Sequence, residues 1–198
     1  MQNEILLNKV AAFVKEFLQS RLSLQMFFHN LGHTLLVVEG VNLIGKAEGL
    51  SRDELFILQL AAFLHDVGYT EKYWGHEEAS ARIAAEILGE NGLATEKIEL
   101  VKKCIIATKF PQHPEGKLER VICDADFYHF SHPDYISYAK RLKMEWETNL
   151  NLSYTDPEWD KLNLNMLSAH IYFTNYGKNI LQQNKILNIA NLISKVNN

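Results

Sequence analysis

The sequence has little of what builds secreted, membrane-spanning or disulfide-stabilised proteins. It contains 2 cysteines, Cys104 and Cys123, too few for a disulfide framework or a cysteine-rich zinc site. No apolar run approaches the roughly 18–20 residues of a transmembrane helix. The N-terminus has no basic region before an apolar core and is not typical of a signal peptide. We therefore expect a cytoplasmic protein whose two thiols are buried and reduced.

The charge pattern excludes two further classes of partner. The net charge is −4, with 20 Lys and Arg against 24 Asp and Glu, and no basic block occurs. A nucleic-acid polymer and an acidic membrane surface both attract clustered basic residues, so neither is expected as a partner. The oligomeric state leaves no comparable signature in the sequence.

What the sequence does contain is helical periodicity along nearly its whole length, without sustained strand-like alternation or internal repeats. Ser51-Arg-Asp-Glu54 has the form of a capping box, and Thr95 is predicted to cap a later helix. An apolar content of 47% suits one sizeable core. We predict an all-α, compact, single-domain helical bundle over residues 1–198. The predicted helices span about 4–19, 31–47, 51–65, 77–89, 95–108, 117–130, 133–147, 157–174 and 178–196.

The most apolar predicted helix ends abruptly in two polar residues. Residues 58–64 read Leu-Gln-Leu-Ala-Ala-Phe-Leu, and His65 and Asp66 follow directly. A buried imidazole and carboxylate need partners, because unpaired polar groups are costly in a protein interior. A divalent cation would satisfy both groups, and the negative end of the helix dipole would favour it further. The pattern predicts a metal site with His65 and Asp66 as its central ligands.

Two more polar residues lie on apolar helix faces. His33 shares a face with Val37, and Asp126 lies among the apolar residues of its own helix. Singly, each is more typical of a hydrogen-bonded core residue. Together with His65 and Asp66 they form a set that one divalent ion would explain. Imidazole and carboxylate ligands without thiolate suit Mn, Fe, Co, Ni or Mg, and such an ion keeps positions open for water and a substrate oxygen.

The ordered set of His33, His65-Asp66 and Asp126 resembles the H…HD…D signature of the HD superfamily of metal-dependent phosphohydrolases. The similarity covers about residues 25–130, with residues 131–198 expected to pack on this region as further helices. It is closest to a bacterial branch described as predicted metal-dependent HD phosphohydrolases. Matching stretches include His29-Asn-Leu-Gly-His33, His76-Glu-Glu-Ala79, Ala107-Thr-Lys109, Ile122-Cys-Asp-Ala-Asp126 and Ser168–Tyr176.

The resemblance implies a fold, a cofactor and an activity. The fold is the HD-domain type of helical bundle, with one divalent ion bound by the four residues named above. The activity is hydrolysis of a phosphomonoester or phosphodiester of a small metabolite, frequently a nucleotide. His65 and Asp66 would form the catalytic doublet, with Asp66 available to take a proton from a metal-activated water. His76 and Lys109 would contact the substrate, although a helix-start cap and a solvated lysine are open alternatives for them.

Other positions define supporting roles and departures from the pattern. His29 and Asp124 are predicted to orient the ligands without binding the ion, an ordinary helix hydrogen bond being the alternative for Asp124. Binuclear relatives carry two additional histidines, and Thr108 occupies one of those positions, so one metal ion is expected. Many relatives have an aspartate where this chain has Tyr128. That difference keeps open a catalytically weak or inactive module that binds a metal and a nucleotide-like ligand in a regulatory role. A diiron oxygenase is a third possibility.

Overall fold

The computed structural model describes residues 2–196, and this range contains helices and connecting turns but no strand. Residues 1, 197 and 198 of the predicted domain lie outside the described range. The predicted all-α fold is confirmed. None of the helices in the described range is both long and apolar enough to cross a membrane. The helices are α1 (Gln2–Arg21), α2 (Leu31–Ala47), α3 (Arg52–Leu64), α4 (His76–Glu90), α5 (Thr95–Ala107), α6 (Lys117–Asp126), α7 (Tyr135–Asn149), α8 (Asp156–Ala169) and α9 (Gln182–Val196).

The main hydrophobic core is built around α3, which is buried on nearly every side, as its uninterrupted apolar sequence predicts. Val14 of α1, Leu60 of α3 and Ile122 of α6 are fully buried members of this core. Tyr172 and Leu181, from the segment between α8 and α9, also belong to it. The helices α2, α3 and α6, which carry or precede the predicted metal ligands, therefore pack against elements from both ends of the chain.

A second, smaller core lies between the C-terminal helices. It contains Phe130, Tyr135, Ala139, Leu167 and Leu192, which come from α7, α8, α9 and the turn before α7. Both cysteines, in α5 and α6, are buried and unpaired as predicted. The C-terminal helices are thus packed elements with apolar contacts of their own.

Helix starts follow the sequence in one case and depart from it in another. The capping box at Ser51 is confirmed: the Glu54 carboxylate accepts a hydrogen bond from the Ser51 N–H at 2.8 Å. The predicted cap at Thr95 is wrong, because the cap position is Ala94 and Thr95 is already the first helical residue.

Two helix ends fall earlier than predicted. A 3-10 turn replaces the last residues predicted for α6, which ends at Asp126. The predicted extension of α8 to residue 174 is also wrong, because that helix ends at Ala169. The Asp124 carboxylate accepts hydrogen bonds from the backbone N–H groups of Phe173 and Thr174, at 2.8 and 2.9 Å. These N–H groups are therefore engaged outside a helix, and residues 170–173 form no regular structure before a π-helical turn leads into α9.

Candidate metal centre

Four polar side chains meet where α2, α3 and α6 pack together. His33 lies in the first turn of α2, His65 and Asp66 follow the end of α3, and Asp126 is the last residue of α6. Ligand atoms of His33, His65 and Asp66 all lie within 4.8 Å of one another. Asp126 Oδ1 lies 3.1 Å from His33 Nε2 and 3.7 Å from His65 Nε2. The structure brings together all four predicted ligands.

The spacing of these atoms fits a bound first-row metal ion. Nε2 of His65 lies 3.4 Å from His33 Nε2 and 3.2 Å from Asp66 Oδ2. Metal–ligand bonds of about 2.0–2.2 Å place neighbouring ligand atoms roughly 3 Å apart. Asp66 Oδ2 is buried and has no hydrogen-bond partner among residues 2–196. A divalent cation would supply the missing partner, so the residues present fit the ion.

A hydrogen bond on the side facing away from the cluster fixes the orientation of the His65 ring. Its Nδ1 lies 2.9 Å from the carbonyl oxygen of Ala62 in α3 and donates a proton to it. When the ring loses its other proton, the lone pair of Nε2 points into the cluster, which is the state that metal coordination requires.

The ionisable groups of the cluster shift one another's pKa values without any bound ion. Burial lowers the pKa of His65, but the neighbouring carboxylates of Asp66 and Asp126 outweigh burial and hold that pKa well above its ordinary value. Burial raises the pKa of both carboxyls, yet contacts with His65 and His33 bring both pKa values below the ordinary range. Two ionised carboxylates thus face His65, which holds a proton more tightly than an ordinary histidine, an arrangement suited to exchanging a proton for a cation.

The cluster is more accessible on one side than on the other. The side chains of His33 and His65 are only 3% and 1% exposed. The side chains of Asp126, His76 and His29 are 19%, 15% and 18% exposed, respectively. These three partly exposed side chains border the four-residue cluster, and we call the side that they form the open side.

His76 lies on the open side and is the first residue of α4. The alternative of a helix-start cap is wrong, because the cap position is Gly75 and no side chain caps this helix. Nδ1 of His76 donates to the carbonyl oxygen of Tyr73 at 3.0 Å. Its Nε2 lies 3.6 Å from Asp66 Oδ1 and 3.7 Å from Glu77 Oε1. The ring of Tyr69 stacks on it with centroids 3.8 Å apart. Contact between His76 and a substrate stays a prediction.

Lys109 lies farther out, on the turn after α5. Its ammonium group is exposed and pairs with the Glu78 carboxylate. Gln112 was not predicted from the sequence, and its Nε2 donates to Asp126 Oδ2 at 3.4 Å. Thr108, at the position of an expected second-metal histidine, donates its hydroxyl proton to Ile105 O at 2.7 Å. The phosphate contact predicted for Lys109 remains a prediction.

The two predicted supporting residues have different surroundings. Asp124 is buried against the segment after α8, where its Oδ2 also accepts the hydroxyl proton of Thr174 at 2.6 Å. Burial raises the pKa of Asp124 despite these hydrogen bonds. His29 instead borders the open side, and its Nδ1 lies 2.5 Å from Glu145 Oε1.

Glu145 of α7 was missed by the sequence reasoning. It is fully buried, and its spacing of seven residues from Tyr138 places both on one helix face. A carboxylate on a buried face was the signal that could have identified it. Burial raises the pKa of Glu145, but hydrogen bonds from His29 and the backbone lower it below the ordinary value. Burial lowers the pKa of His29, but the Glu145 carboxylate, together with Asp66 and Asp126, outweighs burial and raises it.

Comparison with known proteins agrees with this geometry. The model of the HD domain family matches residues 30–131, about half of the chain, and this range includes all four candidate ligands. No curated protein matches the sequence, and no solved structure matches it. The family match, the helical fold and the converging His and Asp side chains lead to one conclusion. The chain belongs to the HD-domain family, the HD superfamily of metal-dependent phosphohydrolases.

Proposed function

We propose that this protein hydrolyses a phosphomonoester or phosphodiester of a small metabolite, with nucleotides as the substrate class. The observation that supports this function is the buried cluster of His33, His65, Asp66 and Asp126, which is bordered by partly exposed side chains on its open side. A closed set of ligands would suit a structural metal, whereas an accessible set leaves room for water and substrate.

The four residues would hold one divalent ion, and their nitrogen and oxygen atoms suit Mn, Fe, Mg, Co or Ni. When bound, such an ion lowers the pKa of a water molecule and polarises a phosphoryl oxygen. Asp66 has a second oxygen, Oδ1, which faces His76 Nε2 at 3.6 Å. We assign that oxygen to accept the proton of the attacking water as the water oxygen bonds to phosphorus and the ester oxygen leaves.

Residues beside the open side support a nucleotide substrate. His76 is assigned to a phosphate oxygen, and Lys109 would reach one by exchanging its ion pair with Glu78 for the substrate. Trp74 is 77% exposed, which is unusual for so large an apolar ring. Its neighbour Tyr73 contacts it edge-on, with ring centroids 5.8 Å apart. An exposed aromatic ring near a phosphate site offers a surface on which a base can stack.

Elemental analysis combined with a phosphatase and phosphodiesterase screen tests the proposal. We expect about one divalent ion per chain, and phosphate release from a nucleotide panel with added Mn or Mg. Asp66→Ala should abolish release, while Glu99→Gln, in an exposed ion pair with Lys102, should not affect it. Folded protein that binds no divalent ion, or binds it equally well after His65→Ala, would exclude the metal site.

A regulatory HD module that binds metal and nucleotide without turnover is the alternative. Tyr128 motivates it, because this residue replaces a carboxylate found in many relatives and packs beside Gly40 of α2. Tight nucleotide binding without phosphate release in any metal would favour the module. Two irons per chain in the purified protein would instead favour oxidative chemistry.

A further inference from the structure

A fully buried carboxylate joins α7 to the segment before α2. Oε2 of Glu145 accepts the backbone N–H groups of Phe28 and His29, at 2.8 and 3.0 Å. Oε1 accepts the hydroxyl proton of Tyr73 at 3.0 Å and lies 2.5 Å from His29 Nδ1. An ionised carboxylate accepts hydrogen bonds and donates none, so the proton between them lies on Nδ1. Within residues 2–196, every hydrogen bond of this buried carboxylate thus goes to Tyr73 or to the segment that carries His29.

The consequence is a histidine ring whose position and direction are both fixed. With Nδ1 bonded to Glu145, the Nε2 atom on the far side of the ring stays available for another partner. The residues described between 2 and 196 provide no hydrogen bond to that atom. The ring of Tyr69 stacks on His29 with centroids 4.5 Å apart, which limits rotation of the imidazole.

The fixed ring borders the open side of the metal cluster. Its centroid lies 5.6 Å from that of the candidate ligand His33 and 6.4 Å from that of His76. His29 therefore lies beside the candidate ligands, but neither of its nitrogens belongs to the group of converging ligand atoms. A substrate oxygen entering from this side would pass close to the imidazole.

We infer that His29 contacts a phosphoryl or leaving-group oxygen of the substrate through Nε2, and that Glu145 is its positioning residue. This inference rests on the proposed function. Glu145 lies outside the family-matched range 30–131 and outside the stretches that resemble the family, so its positioning role is a property of this chain beyond the matched motif. Helix α7 therefore contributes to the site by orienting a substrate contact, although none of its residues is a candidate ligand.

Steady-state kinetics on Mn-loaded protein test the inference with p-nitrophenyl phosphate and bis(p-nitrophenyl) phosphate, alongside calorimetric binding of inorganic phosphate. In Glu145→Gln one carboxylate oxygen becomes an amide donor that faces other donors, so the imidazole of His29 is no longer held in a fixed direction. We expect Glu145→Gln and His29→Gln each to lower kcat/KM roughly 10- to 100-fold, because a small misplacement of a contacting group has effects of this size. Phosphate binding should weaken as well, and metal content should stay unchanged.

The double variant separates positioning from general destabilisation. Because the two residues act through one contact, the double variant should lose no more activity than either single variant. Tyr135→Phe is the matched control, since it removes a buried hydrogen bond from α7 to Asn163 without touching His29. It should lower the melting temperature and leave kcat/KM intact.

Three results would overturn the inference. The first is wild-type kcat/KM and phosphate affinity in folded His29→Gln, a variant that keeps the test valid if Glu145→Gln does not fold. The second is loss of bound metal in either variant, which would mean that the pair supports the ligands only. The third is strictly additive losses in the double variant. Failure of the proposed function is distinguishable, because the wild-type protein would then neither hydrolyse these esters nor bind phosphate.

Discussion

The Nε2 atoms of His33 and His65 face each other at 3.4 Å in the protein interior. Two buried imidazole nitrogens so close together need a proton or a cation between them and the adjacent carboxylates. Burial lowers the pKa of His65, but Asp66 and Asp126 outweigh burial and raise it, so the metal-free cluster holds a proton to higher pH than an ordinary histidine would. We expect Mn²⁺ binding to release protons and its affinity to fall as pH decreases below this raised pKa. Calorimetry in buffers of different ionisation enthalpy measures this release, and pH-independent affinity would contradict it.

Gly68 is a position where any side chain would strike backbone. A Cβ there would lie 2.1 Å from the carbonyl oxygen of His76 and 2.8 Å from the N–H nitrogen of Ser80. We expect Gly68→Ala to lower the unfolding free energy by about 1–3 kcal/mol and to displace the start of α4. Gly89→Ala is the control, because its Cβ would meet only Ile98, at 4.0 Å. That variant should gain about 0.5–1 kcal/mol of unfolding free energy. Urea denaturation measures both variants, and an equal change in the two would contradict the prediction.

Asp124 should matter for stability and leave metal binding intact. Its two oxygens accept three hydrogen bonds from Phe173 and Thr174. In Asp124→Asn one oxygen becomes an amide donor facing another donor, so we expect a loss of about 1–3 kcal/mol. The exposed Asp134→Asn should change stability by less than about 0.5 kcal/mol. Loss of bound metal in folded Asp124→Asn would show that this carboxylate supports the ligands instead.

Lys185 should make stability depend on alkaline pH. Its ammonium group is buried, donates to His170 O at 2.5 Å and has no carboxylate partner in the described part of the chain. Burial lowers its pKa to about 8. The unfolded lysine, with a pKa of about 10.4, binds more protons than the folded one between these values, so unfolding free energy rises with pH there.

Comparing the wild-type protein with Lys185→Met isolates this contribution. The cost of burying the charge is fully present below about pH 8, so the wild type should gain on the order of 1–3 kcal/mol relative to the variant by about pH 10. Urea denaturation near both pH values measures the difference. A constant stability difference between the two proteins would show that the buried amine is not the cause.

The sequence predicted the parts of this protein that depend on local pattern. His65 and Asp66 were evident because they end an uninterrupted apolar run, and His33 and Asp126 because each shares a helix face with apolar residues. Glu145 was not evident, because its partners Phe28 and His29 lie 117 and 116 residues away. The early end of α8 was missed for a similar reason. The Asp124 carboxylate of α6, distant in sequence, accepts hydrogen bonds from the backbone of the residues that follow this helix. Local periodicity contains no information about such distant partners.

The wide spacing of the candidate ligands along the chain also affects the entropy of the unfolded protein. His33 and His65 are 32 residues apart, and His33 and Asp126 are 93 residues apart. An ion bound by all of them would act as a reversible cross-link that closes two long loops of the chain at once. Such a link reduces the entropy of any state in which the ion stays bound, and closing longer loops has the larger effect. The availability of metal would therefore control the protein's resistance to thermal unfolding and proteolysis, independently of any reaction that it catalyses.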